Sequence, residues 1–156
     1  MAVAIGDPAP GFELPGYDGT EDGERMYSLT EYAGKPVVLV FYPGDDTPVC
    51  TRQLNAYTND IEAFGEVGAQ VLAISPQSVE SHEKFACRQG GFGFPLLADT
   101  QKVVGDAYGI LGPIGFYRRS AFVVDPSGII RYAHRAVAGL VFRPTAELVG
   151  AVKAAI

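Results

Sequence analysis

The sequence predicts an α/β fold, a central mixed β-sheet flanked by helices, and three observations carry that expectation. An uninterrupted β-prone run, Val37 to Tyr42 (VVLVFY), has the composition of a strand buried on both faces. A segment with helical spacing follows it directly, which is how a strand and its crossover helix are written in sequence. Toward the other end, two β-prone runs flank the turn Pro126-Ser127-Gly128 and predict a hairpin.

Taken in order, the elements justify themselves. After the central strand, Leu54, Tyr57, Ile61 and Phe64 recur at helical spacing, so a helix is expected from Pro48 to about Phe64, closed by Gly65 and Gly68. Gln70 to Ser75 (QVLAIS) reads as a second strand. Val79 to Gln89 reads as a second helix ending at Gly90 and Gly91, and Gln101 to Tyr108 as a short third one. Ser120 to Asp125 and Ile129 to Arg135 are the arms of the hairpin, and a helix from Thr145 closes the chain. Strand, helix, strand, helix, then hairpin and helix is the order of a thioredoxin-like fold.

At 156 residues, with no internal repeat and no linker-like shift in composition, the chain is expected to form one domain over residues 1–156 with a core that needs no disulfide staples. The net charge of -6, with twelve scattered basic residues, argues against a nucleic-acid or anionic-membrane partner. The opening MAVAIGDPAPGFELPG has no basic stretch and is broken by prolines, unlike a secretory signal, and the run from Val37 to Tyr42 is far too short to span a bilayer. A cytoplasmic location is expected, and in that reducing compartment cysteines are more often reactive than structural. Two cysteines and two distant histidines show no zinc-type spacing, so neither metal nor other cofactor is expected. The acids at 21, 22 and 24 read as a solvated loop, and His82, near an apolar helix face, as a packed histidine.

The chemistry concentrates in the stretch YPGDDTPVC, Tyr42 to Cys50. Thr47 suits an N-cap and Pro48 the first helical position, which places Cys50 third, in the first turn. Free backbone N–H groups and the positive end of the helix dipole lie there, and both favour thiolate over thiol. Two features pull the other way. Cys50 precedes Leu54 by four residues on the apolar stripe, as a core-filling cysteine would, and the carboxylates of Asp45 and Asp46 disfavour a neighbouring thiolate. On spacing alone a reactive thiol and a core filler both stand.

Pro43, Thr47 and Cys50 reproduce the Pro-x-x-x-Thr-x-x-Cys motif, and on that motif the chain resembles the peroxiredoxins. The likeness extends through GDPAPGFELP, FPLLAD, AYGI and RSAFVVDPSG, and within the family it is greatest to the bacterioferritin comigratory protein or PrxQ group. The resemblance implies that Cys50 is the peroxidatic cysteine, Thr47 the hydroxyl at the reacting centre and Pro43 a shield against solvent. It places the family's active-site arginine on Arg119, leaving Arg118 as an ordinary surface charge. Two positions depart from the common pattern: Gln53 stands where glutamate is usual, and Asn55 where many relatives carry a resolving cysteine.

On a helical projection of Val79 to Gln89, Cys87 lies on the polar face between Glu80, Glu83 and Lys84, where a core-filling cysteine would not be placed. It is a tolerated surface thiol or, as the resemblance to PrxQ proteins implies, the resolving cysteine. The function implied is a thiol-dependent peroxidase acting on hydrogen peroxide and small organic hydroperoxides, recycled by a thioredoxin-type dithiol, in a monomer or weak homodimer. The alternatives are a one-cysteine peroxidase with Cys87 idle and a thioredoxin-like redox sensor without useful turnover.

Overall fold

The computed structural model describes residues 3–19, 24–136 and 141–156. In chain order its elements are β1 (Glu13–Tyr17), β2 (Glu24–Ser28), β3 (Val37–Phe41), α1 (Pro48–Asn59), α2 (Ile61–Glu66), β4 (Gln70–Ser75), α3 (Val79–Arg88), β5 (Leu96–Ala98), α4 (Val103–Ala107), β6 (Ser120–Val124), β7 (Ile130–Arg135) and α5 (Thr145–Ala155). The strands of the described residues form one mixed sheet, ordered β2-β1-β5-β4-β3-β6-β7. β3, β4 and β5 run parallel, while β6 and β7 on one side and β1 and β2 on the other are antiparallel additions.

The continuous apolar run of β3 has a direct physical reason. Its side chains alternate between two cores: Val38 and Val40 pack with Leu54, Tyr57, Phe64 and Phe85 from α1, α2 and α3, and with Leu148 and Val152 from α5. Val37, Leu39 and Phe41 enter the opposite layer with Tyr108, Tyr117, Phe122 and Ile130. A strand with both faces covered has no reason to alternate with polar residues.

Three strands escape the sequence pattern. β1 (ELPGY) carries Pro15 and Gly16, which argue against a strand interior, yet it pairs with both β2 and β5. Gly16 is there for close approach, since a Cβ would lie 2.9 Å from the Leu96 carbonyl oxygen and from the Tyr27 ring. β5 has only three residues, too few for any periodicity. β2 includes Glu24, so that acid belongs to a strand, whereas those at 21 and 22 lie outside the described residues.

The expected helix from Pro48 to Phe64 is two helices. Asp60, at φ -100 and ψ 16, leaves the helical region and is the last cap of α1 and the first of α2. Asn59 and Asp60 favour such a break, because their short polar side chains compete for local hydrogen bonds. The new direction still delivers Phe64 to the core, and Thr145 at the start of α5 donates to the Asp60 carboxylate at 2.7 Å. Elsewhere the expected ends shift by one or two residues, as fraying termini do.

The end of α3 is closed as its glycines predict. Gly90 and Gly91 have φ of +81 and +93, and their N–H groups donate to the carbonyls of Cys87 (3.3 Å) and Ala86 (2.8 Å). Cys87 therefore sits in a last turn held by a glycine cap. No helix of the described residues is long and apolar enough to cross a membrane.

Candidate active site

β3 runs through buried Tyr42 into the loop 43–47, and α1 begins at Pro48 with Cys50 as its third residue. Cys50 is 0% exposed and belongs to the core between α1 and the sheet. Thr47 has the extended backbone of an N-cap, but its hydroxyl does not cap the helix. It donates instead to the Gly44 carbonyl at 3.0 Å and closes the loop on itself.

The acids that weigh against a reactive thiol are both engaged away from it. Asp46 takes a left-handed conformation, φ +62, which a short polar side chain tolerates, and pairs with Arg88. Asp45 turns inward to Tyr42, Ser81 and His82. His82 is buried and hydrogen-bonded, as expected from its place near the apolar face.

Arg119, directly ahead of β6, is also buried. Its Nη2 lies 3.2 Å from the Cys50 sulfur and its Nη1 donates to the Gln53 side-chain oxygen. Gln53 is one helical turn beyond Cys50, on the same face of α1, so sulfur and amide grip one planar guanidinium from two directions. The residue that departs from the family pattern thus supplies a neutral acceptor for the arginine. Arg118 points elsewhere, but it is not an ordinary surface charge: it is half-buried and its Nε donates to the Ala136 carbonyl at 3.1 Å.

Above the first turn of α1 opens a cleft of about 680 Å³ lined by Pro43, Gly44, Thr47, Pro48, Val49, Phe116 and Arg119. Phe116, 57% exposed, forms an apolar wall that sequence reasoning missed, since nothing in the run GPIGFY marks one aromatic as a cleft residue. Cys87 is exposed on α3, and both cysteines are free thiols. Partial desolvation, followed by the Cys87 thiol beside it, pushes the Tyr17 phenol above its ordinary pKa. The residues after Cys87 reach toward the other cysteine's helix: Arg88 pairs with Asp46, and Gln89 accepts from Asn55 of α1 at 2.9 Å.

The sequence profile of the AhpC/TSA family matches residues 5–133. A protein of the Clostridium pasteurianum rubredoxin operon, named as a peroxiredoxin, is 37% identical over 140 residues, covering 85% of this chain and 79% of that protein. The chain belongs to the peroxiredoxin family. Peroxiredoxin Q of rice (Oryza sativa subsp. japonica), a chloroplastic protein, is 35% identical over 85% of this chain, which spans 59% of the rice protein's length. The solved structure of Mycobacterium bovis AhpC superimposes with a TM-score of 0.90 at 26% identity, covering 99% of this chain and 93% of that one. The peroxiredoxin therefore has the thioredoxin-like fold expected from its element order, and it is a thiol-dependent peroxidase that consumes a peroxide at the expense of a thiol reductant. Pro43, Thr47 and Arg119 of this peroxiredoxin line one cleft, Cys50 lies buried beneath it against Arg119, and Cys87 is exposed on α3.

Proposed function

We propose that Cys50 is the peroxidatic cysteine, on the strength of one observation above all: the Arg119 guanidinium 3.2 Å from its sulfur in a buried site beneath an open cleft. Cys50 thiolate attacks the terminal oxygen of a hydroperoxide. The S–O bond forms as the O–O bond breaks, and the departing oxygen takes a proton to leave as water or an alcohol, giving Cys50 sulfenic acid.

Each neighbour has a part set by its geometry. Thr47 has committed its proton to Gly44, so its oxygen offers lone pairs to the O–H of the incoming hydroperoxide. Arg119 donates toward sulfur and the developing negative oxygen, with Gln53 fixing the plane of the guanidinium. The N–H groups of Val49 and Cys50 add to this, because the first bond of the helical ladder runs only from Thr51 to Thr47. Pro43 limits water at the cleft, and the apolar wall of Phe116 suits organic hydroperoxides as well as hydrogen peroxide.

Cys87 thiol then condenses with the sulfenic acid, releasing water and leaving a Cys50 to Cys87 disulfide, which a thioredoxin-type dithiol reduces by exchange. The setting is a cytoplasmic monomer or weak homodimer. A disulfide requires Cα atoms within about 7 Å and side chains directed at each other. A fully buried sulfur and an exposed one do not meet that second condition, so the first turn of α1 and the last turn of α3 must unwind. Local opening of this kind costs far less than global unfolding.

Stoichiometric peroxide is expected to give a monomer with an internal Cys50 to Cys87 bond and faster amide exchange in both segments. Peptide mass mapping of oxidised protein, alongside peroxide consumption coupled to thioredoxin, its reductase and NADPH, checks both halves. An oxidised wild type whose Cys87 is still a free thiol favours the one-cysteine peroxidase.

A further inference from the structure

The chemistry above uses neither Asp45 nor His82, yet both are buried and both are fully occupied. The Nε2 atom of His82 is 2.9 Å from the Leu97 carbonyl oxygen, which only accepts, so that nitrogen carries a hydrogen. Its Nδ1 is 2.8 Å from Asp45 Oδ2, and this contact needs a second proton between nitrogen and oxygen. The Tyr42 hydroxyl donates to Asp45 Oδ1 at 2.7 Å and the Ser81 hydroxyl to Oδ2 at 2.6 Å. The Asp45 N–H in turn donates to the Gln77 side-chain oxygen at 2.8 Å. A short loop has been tied on both its backbone and its side chain to residues that lie beyond β4.

The position of this knot is informative. Asp45 is the middle residue of the loop 43–47, flanked by Pro43 and Thr47, and it leads to Cys50. Ser81 and His82 lie in the first half of α3, and His82 is anchored again to β5 through Leu97. Cys87 sits beyond them, in the last turn, where buried Phe85 and Ala86 anchor one side, and on the exposed side the glycine cap, the Tyr17 phenol beside Cys87, the Arg88 to Asp46 pair and the bond from Asn55 to Gln89 hold the helix end. The inner tie is desolvated and the outer ties are at least partly in water, so they differ in strength.

We infer that the Asp45–His82 pair is a positioning clasp between the peroxide-reactive loop and the helix of Cys87. It holds Pro43 and Thr47 at the cleft and pins the first half of α3, which confines the opening to the two short turns that carry the cysteines. This rests on the reading of Cys50 as the peroxidatic thiol. The clasp also sets a competition. Cys50 sulfenic acid either condenses with Cys87 thiol, losing water, or reacts in the closed pocket with a second hydroperoxide, gaining an oxygen to become sulfinic acid while the peroxide leaves as water or alcohol. A tighter clasp prolongs the closed state and favours the second outcome.

The test compares reduced wild type with Asp45→Asn and His82→Gln by amide exchange under native conditions. Peptides over 42–56 and 78–89 are expected to exchange about tenfold faster or more, the effect of one lost buried charge-assisted bond on a local opening, with β4, β6 and β7 unchanged. Acceleration spread evenly over the sheet, or none, overturns the clasp. Should neither variant fold, Ser81→Ala removes one donor from the carboxylate and carries the same expectation with a smaller rise. Excess peroxide without reductant adds a reading that general destabilisation would not move: the ratio of Cys50 to Cys87 disulfide over Cys50 sulfinic acid rises in the variants. A wild type that forms no such disulfide refutes the resolving role of Cys87 alone, and the exchange pattern still decides the clasp.

Discussion

Cys50→Ser is expected to remove peroxide turnover and to leave the fold in place. The hydroxyl of serine is not ionised at neutral pH, and its oxygen is a poor nucleophile toward a peroxide, so the variant should fall to the rate of buffer. The fold survives because serine is slightly smaller than cysteine and keeps the Arg119 guanidinium as a hydrogen-bond partner, which limits the cost of burial to about 1 kcal/mol. Peroxide consumption and far-ultraviolet circular dichroism on one preparation check the two halves together. Turnover that persists in metal-free, haem-free protein would remove Cys50 from the centre of the reaction.

Arg119→Lys should be nearly as damaging although it keeps the charge, with a loss of about 10² to 10³ in the rate of Cys50 oxidation. The guanidinium serves sulfur through one nitrogen and Gln53 through another, and its plane is fixed by that division. An ammonium is a single point on a more flexible stem, and it leaves the buried Gln53 oxygen short of its partner. The size of the loss is itself informative. An ordinary thiol is already a few per cent ionised at neutral pH, so changing ionisation alone accounts for at most roughly 30-fold. A larger loss means that Arg119 acts on charge developing as the O–O bond breaks. Arg118→Lys, which disturbs contacts with the Ala136 and Arg135 carbonyls and none with Cys50, should change the rate little; equal losses at the two positions would show that the reacting arginine has been misassigned.

These neighbours also mark what the sequence could tell and what it could not. A strand covered on both faces, as Val37–Phe41 is, writes itself as an unbroken apolar run, and Thr47-Pro48 announces a helix start whatever lies around it. Glu13–Tyr17 and Leu96–Ala98 announce nothing. They are strands because partners pair with them, and Gly16, which looks like a breaker, is what lets the Leu96 backbone approach. No local property separates Arg118 from Arg119; the resemblance chose between them, and only one of the two faces of the chain looks toward Cys50. Gln53 was visible as a departure from a pattern but not as the arginine's second partner, 66 residues away in sequence. His82 was legible as a packed histidine, yet its acid, Asp45, is 37 residues distant, and periodicity carries no information over that separation. The carboxylate expected to oppose a thiolate turned out to face the other way for this reason.

The most direct measurement of the central claim is a rapid-quench reaction of reduced, metal-free Cys87→Ser protein with one equivalent of hydrogen peroxide in the presence of dimedone, followed by peptide mapping. With condensation to Cys87 removed, the sulfenic acid should persist long enough to be trapped. A single dimedone adduct on the peptide that contains Cys50, formed as the peroxide disappears, is the predicted result. Peroxide consumed at the same rate with Cys50 unlabelled and unoxidised would contradict the account.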